Sequence, residues 1–304
     1  MSNNKLAVRT LVAVTITVIC WASAFPAIRE GLKAFSPVHV AVLRYIVASI
    51  VLAGYALAIR MPLLQWRDLP GVALSGVIGI TLYNVLLNTG ETTVPAAVAS
   101  FLIASSPIFV SLLAVVLLKE QPRRWAWIGT GISFAGVGVI ASRGGLRFDA
   151  NALIVLAAAI CQALYFVIQK PYLKRYSAWQ FTAYAIWCGT LALLLFAPGL
   201  ATEIQAAPAP SVLAVVYMGI FPGALAYVTW AYGLSTLPAS RAASFLYLVP
   251  AFAIVIAWLW LGEVPSVLAI AGGLLVLAGV LIVNTWGKPS PTSVEPVLKA
   301  TIST

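Results

Sequence analysis

Long apolar runs, broken by short polar stretches, recur from Val8 to Trp286. A helix needs about 20 mostly apolar residues to cross about 30 Å of hydrocarbon. Ten runs meet that length: roughly 8–28, 38–59, 69–90, 95–118, 124–142, 151–170, 178–198, 211–234, 239–261 and 264–286. In lipid every backbone amide needs an internal partner, and runs of this length satisfy that as helices, not as barrel strands of about 10 residues. The pattern predicts an all-α integral membrane protein. The Pro/Ser/Thr-rich tail 287–304 is expected to be disordered and cytoplasmic.

Composition closes off the alternatives. Hydrophobic residues make up 62% of the 304, charged residues only 9%, and mean hydropathy is +1.01. That leaves too little polar surface for a soluble particle, which carries roughly 25% charge. The net charge of +10 would suit nucleic acid, but the cations are scattered between apolar runs and form no basic face, so no nucleic-acid partner is expected. Thirteen Lys and Arg fall in the loops and terminal segments of one side, from Lys5 to Lys299, and only Arg29, Lys33, Arg143 and Arg147 on the other. The positive-inside rule then places both termini in the cytoplasm. Cys20, Cys161 and Cys188 lie in apolar runs with no CxxC pair, so no metal or disulfide is expected. One interfacial histidine, His39, and no embedded carboxylate leave nothing to build a catalytic centre or a resident cofactor site from.

The chain also repeats itself. Shifted by 143 residues, Pro95 falls on Pro238, Pro107 on Pro250, Glu120 on Glu263 and Pro122 on Pro265; 14 of 47 positions match between 95 and 141. Gly76 and Gly90 fall on Gly219 and Gly233. Nearer the start the offset is 141, so that Ile19-Cys20 falls on Ile160-Cys161, Phe25 on Phe166 and Ser36 on Ser177. Each repeat, 1–142 and 143–286, holds five predicted spans. An odd number turns the second copy over in the membrane. Inverted repeats are the architecture of many secondary transporters, because two similar halves of opposite orientation have two near-mirror arrangements, one open to each side.

The modules Val94-Pro95…Ser106-Pro107…Leu118-Lys119-Glu120-Gln121-Pro122 and Leu237-Pro238…Val249-Pro250…Leu261-Gly262-Glu263-Val264-Pro265 resemble the paired modules of the drug/metabolite transporter superfamily. The five-plus-five count, Cys20-Trp21-Ala22-Ser23-Ala24-Phe25-Pro26 and Arg44-Tyr45 are similar to its EamA-type branch. Within that branch the chain is most similar to YddG-type bacterial exporters of aromatic and other amino acids. The resemblance implies a small-molecule exporter of the inner membrane that needs no cofactor. It does not separate amino acids from drugs, sugar phosphates or sugar nucleotides as cargo.

Polar groups embedded in lipid are costly and mark candidate sites. Thr81, Asn84 and Asn88 share one helical face, as do Gln162, Tyr165 and Gln169. Tyr227 takes the repeat position of Asn84, and Ser244 and Tyr247 are helix neighbours. Together with Arg44, which could meet a substrate carboxylate or snorkel to the outer interface, these are the predicted substrate-binding residues. For any single Asn, Gln or Ser, bonding to a neighbouring helix is an equal alternative. Pro26, Pro107, Pro222 and Pro250, with Gly79 at the repeat position of Pro222, are the predicted hinges. Every carboxylate falls at a span end or in a loop, and on that ground uncoupled transport is expected. The Gly-rich spans five and ten are predicted to pack outside the cavity or form an oligomer face; the oligomeric state is open.

Overall fold

The computed structural model describes residues 2–94, 96–141, 150–261 and 267–287. Pro95, the repeat junction at 142/143 with Arg143 and Arg147, the segment holding Glu263 and Pro265, and the tail from 288 lie outside the described residues. All regular structure among the described residues is helical.

The first repeat begins with α1 (Ser2–Gly31) and α2 (Pro37–Ala58). Its third span is α3 (Leu69–Gly76) and α4 (Tyr83–Gly90), joined through a π-helical turn, Val77–Leu82. Then come α5 (Ala96–Ile103), α6 (Ser106–Leu118) and α7 (Arg124–Ala141). The second repeat runs α8 (Ala150–Tyr172), α9 (Ala178–Leu193), the short α10 (Leu200–Ala206), then α11 (Ala209–Met218) and α12 (Ala226–Thr236). These last two are joined by a second π-helical turn, Gly219–Leu225. The chain continues as α13 (Ala239–Ser244), α14 (Leu248–Leu261) and α15 (Val267–Thr285).

Seven stretches among the described residues are long and apolar enough to cross a membrane, and Ile270–Thr285 is a shorter apolar helix. The remaining predicted positions are taken by α7 and by the broken pair α13–α14. The break has a cause. Pro107 stands in the first turn of α6 and Pro250 in the first turn of α14, where a missing N–H costs nothing. At these two predicted hinges each span is two helices, with the proline in the first turn of the second. Pro26 lies inside α1, and Pro222 inside the second π-helical turn. The two π-helical turns superpose under the 143-residue offset, with Gly79 in the first where Pro222 stands in the second.

Packing obeys the same exchange of halves. α2 packs on α9 and α7 on α15; α1 packs on α12 and α14, while α8 packs on α4 and α6. Swapping the repeats maps this set of pairs onto itself. Ser49 and Thr190, 141 residues apart, hydrogen-bond to each other at 2.9 Å on the pseudo-two-fold axis. Ser36 caps α2 and its repeat partner Ser177 caps α9, each accepting from the backbone three residues on. His39 bonds the Pro198 carbonyl between α9 and α10, and its counterpart Gln180 donates to Pro62 between α2 and α3. These contacts join loops assigned to one end of the molecule, and the capped pair stands at opposite ends. The second copy is therefore inverted.

Glycine sets the closest approach. A Cβ on Gly136 would lie 2.7 Å from the Gly272 carbonyl oxygen, and one on Gly279 2.5 Å from that of Gly129. These are images of one another across the α7–α15 seam. Gly136→Leu should therefore lower the thermal midpoint of the purified protein, since overpacking typically costs about 1–3 kcal/mol. Gly131→Leu, which faces open space, should not lower it, since leucine is the better helix former. A thermal melt of the two variants checks this.

Candidate functional site

A cavity opens where α1, α2, α4, α5, α8, α12 and the broken ninth span converge. No residue of α7 or α15 lines it. Aromatic rings make much of the wall: Trp21 and Phe25 from α1, Tyr83 from α4 and Tyr227 from α12. Trp21 meets Tyr227 edge-on at 5.4 Å, and its indole N–H donates to the Pro222 carbonyl at 3.1 Å. That bond ties the wall to the π-helical turn. Gln162 and Ser100 supply polar groups, and Pro250 and Leu246 bring the helix break to the wall. The cavity is small, about 40 Å³, room for about three waters at ~10–15 Å³ each. Anything of amino-acid size requires the halves to move.

Among the described residues, Arg44 is the only charge on the wall. It is 3% exposed and does not snorkel. Its guanidinium donates from Nη1 to Asn84 Oδ1 at 3.1 Å. Asn84 Nδ2 in turn donates to the Tyr45 hydroxyl at 2.9 Å and to the Ile80 carbonyl at 2.8 Å. The chain runs on: Tyr45 donates to the Tyr227 hydroxyl at 3.1 Å, and Tyr227 to the Gly79 carbonyl at 3.4 Å. Four elements from both repeats are thus locked around one cation. Arg44 Nε stays buried with no hydrogen-bond partner among the described residues. An unspent donor of a buried guanidinium is costly unless something else takes it.

Of the nine predicted binding residues, the cavity wall carries Arg44, Gln162 and Tyr227. Asn84 stands directly behind Arg44. Thr81 donates to the Gly189 carbonyl at 2.8 Å and Asn88 to that of Pro37 at 3.0 Å, so both bond neighbouring helices. Tyr165 packs its ring into the space left by Gly79, where a Cβ would lie 2.2 Å away. Ser244 accepts from Asn284 at 3.1 Å, and Tyr247 joins a second apolar cluster with Val137 and Val276. These last two face α7 and α15, away from the cavity. The wall also holds Trp21, Tyr83 and Ser100, which are not among the predicted binding residues. An i, i+4 count from Tyr83 to Leu87 would have drawn the lining stripe.

The two ends of the bundle are latched. On the predicted cytoplasmic side the Glu120 carboxylate accepts from the Ala239 N–H at 2.6 Å, the Ser240 N–H at 3.2 Å and the Ser240 hydroxyl at 2.8 Å. Lys170 donates to the carbonyls of Leu234 and Leu237 beside it. On the other side Arg29 donates to the Val94 carbonyl at 3.3 Å. Under the repeat offsets Arg29 is Lys170 and Val94 is Leu237.

Residues 8–142 and 150–285 each match the EamA-like transporter family. The chain belongs to that family. It is 44% identical over 276 residues to a protein of Streptantibioticus cattleyicolor named as a probable terminal-alkyne amino-acid exporter, covering 90% of this chain and 92% of the relative. It is 38% identical to the Bacillus subtilis uncharacterized transporter YdfC, over 91% of each chain. A protein of known crystal structure shares the fold at a TM-score of 0.76 and 19% identity, over 92% of this chain and 98% of that one. This EamA protein is a multi-pass membrane transporter and not an enzyme.

One carboxylate departs from expectation. Glu91 follows the third span, yet it is 2% exposed and neither oxygen has a hydrogen-bond partner among the described residues. Burial pushes its carboxyl up to about 8, against the pull of Arg29 and Arg44. Glu91 stands at the end of the third span, as expected, but it is buried there.

Proposed function

We propose that this transporter exports neutral amino acids, aromatic ones favoured, across a bacterial inner membrane by alternating access, with both termini cytoplasmic. The observation that carries the reading is Arg44: a buried guanidinium with an unspent donor, set in an aromatic wall between the two halves. A carboxylate takes a guanidinium's donors in a charge-assisted bond, while rings of Trp21, Phe25 and Tyr83 cover an apolar side chain. The name of the Streptantibioticus cattleyicolor relative supports an amino acid as cargo. Sugar phosphates and nucleotides would call for several cations on the wall, and drugs of cationic type would meet the wrong sign.

The paired latches support alternation. Glu120 and Lys170 hold the cytoplasmic end of the second half's eighth and ninth spans, and Arg29 stands in the inverted position at the other end. Glu120→Gln weakens the first latch. In a protein otherwise free of cysteine, a cysteine at Ala104 should then react about tenfold faster with a thiol reagent supplied from the cytoplasmic face, in line with the ~1–3 kcal/mol cost of stranding buried donors. An unchanged rate would mean that the contact is not a gate.

Uptake of labelled phenylalanine into proteoliposomes, with unlabelled amino acids as competitors, tests the cargo. Saturable uptake suppressed by neutral amino acids is expected. Uptake no greater than that of empty vesicles, with folded protein, would overturn the amino-acid reading and turn attention to other metabolites.

A further inference from the structure

We propose that Glu91 is a proton-binding site in the outer gate: a proton taken from the external side neutralises its carboxylate, and only then does the gate close over the emptied cavity. The inference rests on the alternating-access reading above and goes beyond it by adding a second ligand, the proton.

Geometry places Glu91 on the transport path. Tyr83 and Leu87 line the cavity from α4, and Glu91 continues that stripe at the next i+4 position. It stands one turn, about 6 Å, beyond Leu87. Its backbone N–H still donates to the Leu87 carbonyl, so the stripe does not twist away. Glu91 also sits at the outer latch, where Arg29 bonds Val94 three residues on.

The groups around it are few. Arg29 faces it from α1 and Arg44 from α2, and both act on it through charge alone. From its own helix come Tyr83 and the Oδ1 of Asn88, itself buried without a partner. On α8, Val155 stands against Gly90, and Asn151 donates to Thr93 at 2.7 Å. No donor among the described residues reaches the Glu91 oxygens. An ionised carboxylate sealed in that place would lose water and gain no hydrogen bond. Protonation removes the charge, as –COO⁻ and H⁺ become –COOH. Opening to the outside readmits water and restores the ordinary carboxylate.

The sign follows. The closed gate raises the Glu91 carboxyl to about 8, so it holds the proton more tightly than the open gate, where a hydrated glutamate has an ordinary value of about 4.3. Closure is favoured at low pH; the advantage is full below about 4.3, falls as pH rises, and is gone above about 8.

Two measurements test this. Net efflux of phenylalanine from proteoliposomes at equal pH inside and out requires the gate to close empty; phenylalanine exchange does not. Net efflux should fall about tenfold from pH 7 to pH 9, following the closed-gate population set by a carboxyl at about 8, while exchange stays level. Glu91→Gln should abolish that fall and leave both rates at the low-pH value. A flat wild-type profile, an unaltered profile in Glu91→Gln, or loss of exchange in the variant would each overturn the proposal. The second measurement needs no cargo. A cysteine at Leu87, in cysteine-free protein in nanodiscs, should be labelled by a maleimide about tenfold faster at pH 9 with Glu91 than with Glu91→Gln, the gap narrowing as pH falls toward about 4.3. Equal rates at pH 9 would overturn the proposal. Should phenylalanine not be carried at all, the cargo reading fails and the labelling decides Glu91 by itself.

Discussion

Arg44→Met should lower the kcat/KM for phenylalanine by about a hundredfold while the protein stays folded. Truncating one member of a buried charge pair typically costs about 2–5 kcal/mol, and each ~1.4 kcal/mol is tenfold. The same substitution leaves Asn84 Oδ1 without the donor it has at 3.1 Å, a smaller loss of about 1–3 kcal/mol to stability. It also withdraws a guanidinium whose Nε is unpaired in the resting fold, which offsets part of that loss. Two cargoes separate recognition from damage. Phenylalanine carries the carboxylate and phenethylamine lacks it. The variant should lose the first and move the second at an unchanged or higher rate. Arg44→Lys should fall nearly as far, because an ammonium has no planar fork with which to hold Asn84 and a carboxylate together. If phenylalanine transport survives in Arg44→Met, Arg44 is a structural cation and the cavity reads cargo by other means.

How much of this was legible before the structure depends on the kind of signal. The repeat was legible because residue identities alone carry it, and it reappears as exchanged helix pairs and as the Ser49–Thr190 bond on the axis. Arg44 stood out in the sequence because a lone embedded charge is rare; its direction did not. Span length admits both an inward and a snorkelling rotamer, and the choice was made by Asn84, 40 residues away. The polar stripe misled for a related reason. Helical spacing groups Thr81, Asn84 and Asn88, but Thr81 lies in the π-helical turn, whose extra residue breaks the register with α4. The lining stripe is the adjacent one, Tyr83 and Leu87, and an apolar Leu gives no hint of a site. Glu91 was legible as the end of a span but not as buried, since burial there depends on α8 and α2 packing against α4. The glycines were legible as a matched pair, Gly76 on Gly219, without a reason for the match.

That reason supports the second large effect. Gly76→Ala and Gly219→Ala should each lower stability by about 2 kcal/mol, and Gly219→Ala should also depress transport at least tenfold. A Cβ on Gly76 would stand 2.2 Å from the Ala185 carbonyl oxygen, and one on Gly219 2.6 Å from the Arg44 carbonyl oxygen. The obstacles are themselves repeat partners, since Arg44 and Ala185 are 141 residues apart. Each is backbone inside a helix and cannot rotate aside as a side chain would. The third span must then separate from α9, or the eighth from α2. Alanine brings a helix-propensity gain of about 0.8–1.0 kcal/mol over glycine, so a net loss requires the overpacking cost of about 1–3 kcal/mol or more to win. Contact this far below van der Waals distance puts it at the upper end. The two variants diverge in function because their neighbours differ. Gly76 presses on Ala185, which has no place on the cavity wall. Gly219 presses on the backbone of Arg44, and the guanidinium moves with it out of line with Asn84 and Tyr227. Thermal midpoints that rise in both variants would show that the spans have room to spare. Equal transport in the two would show that the exact seat of Arg44 does not govern passage.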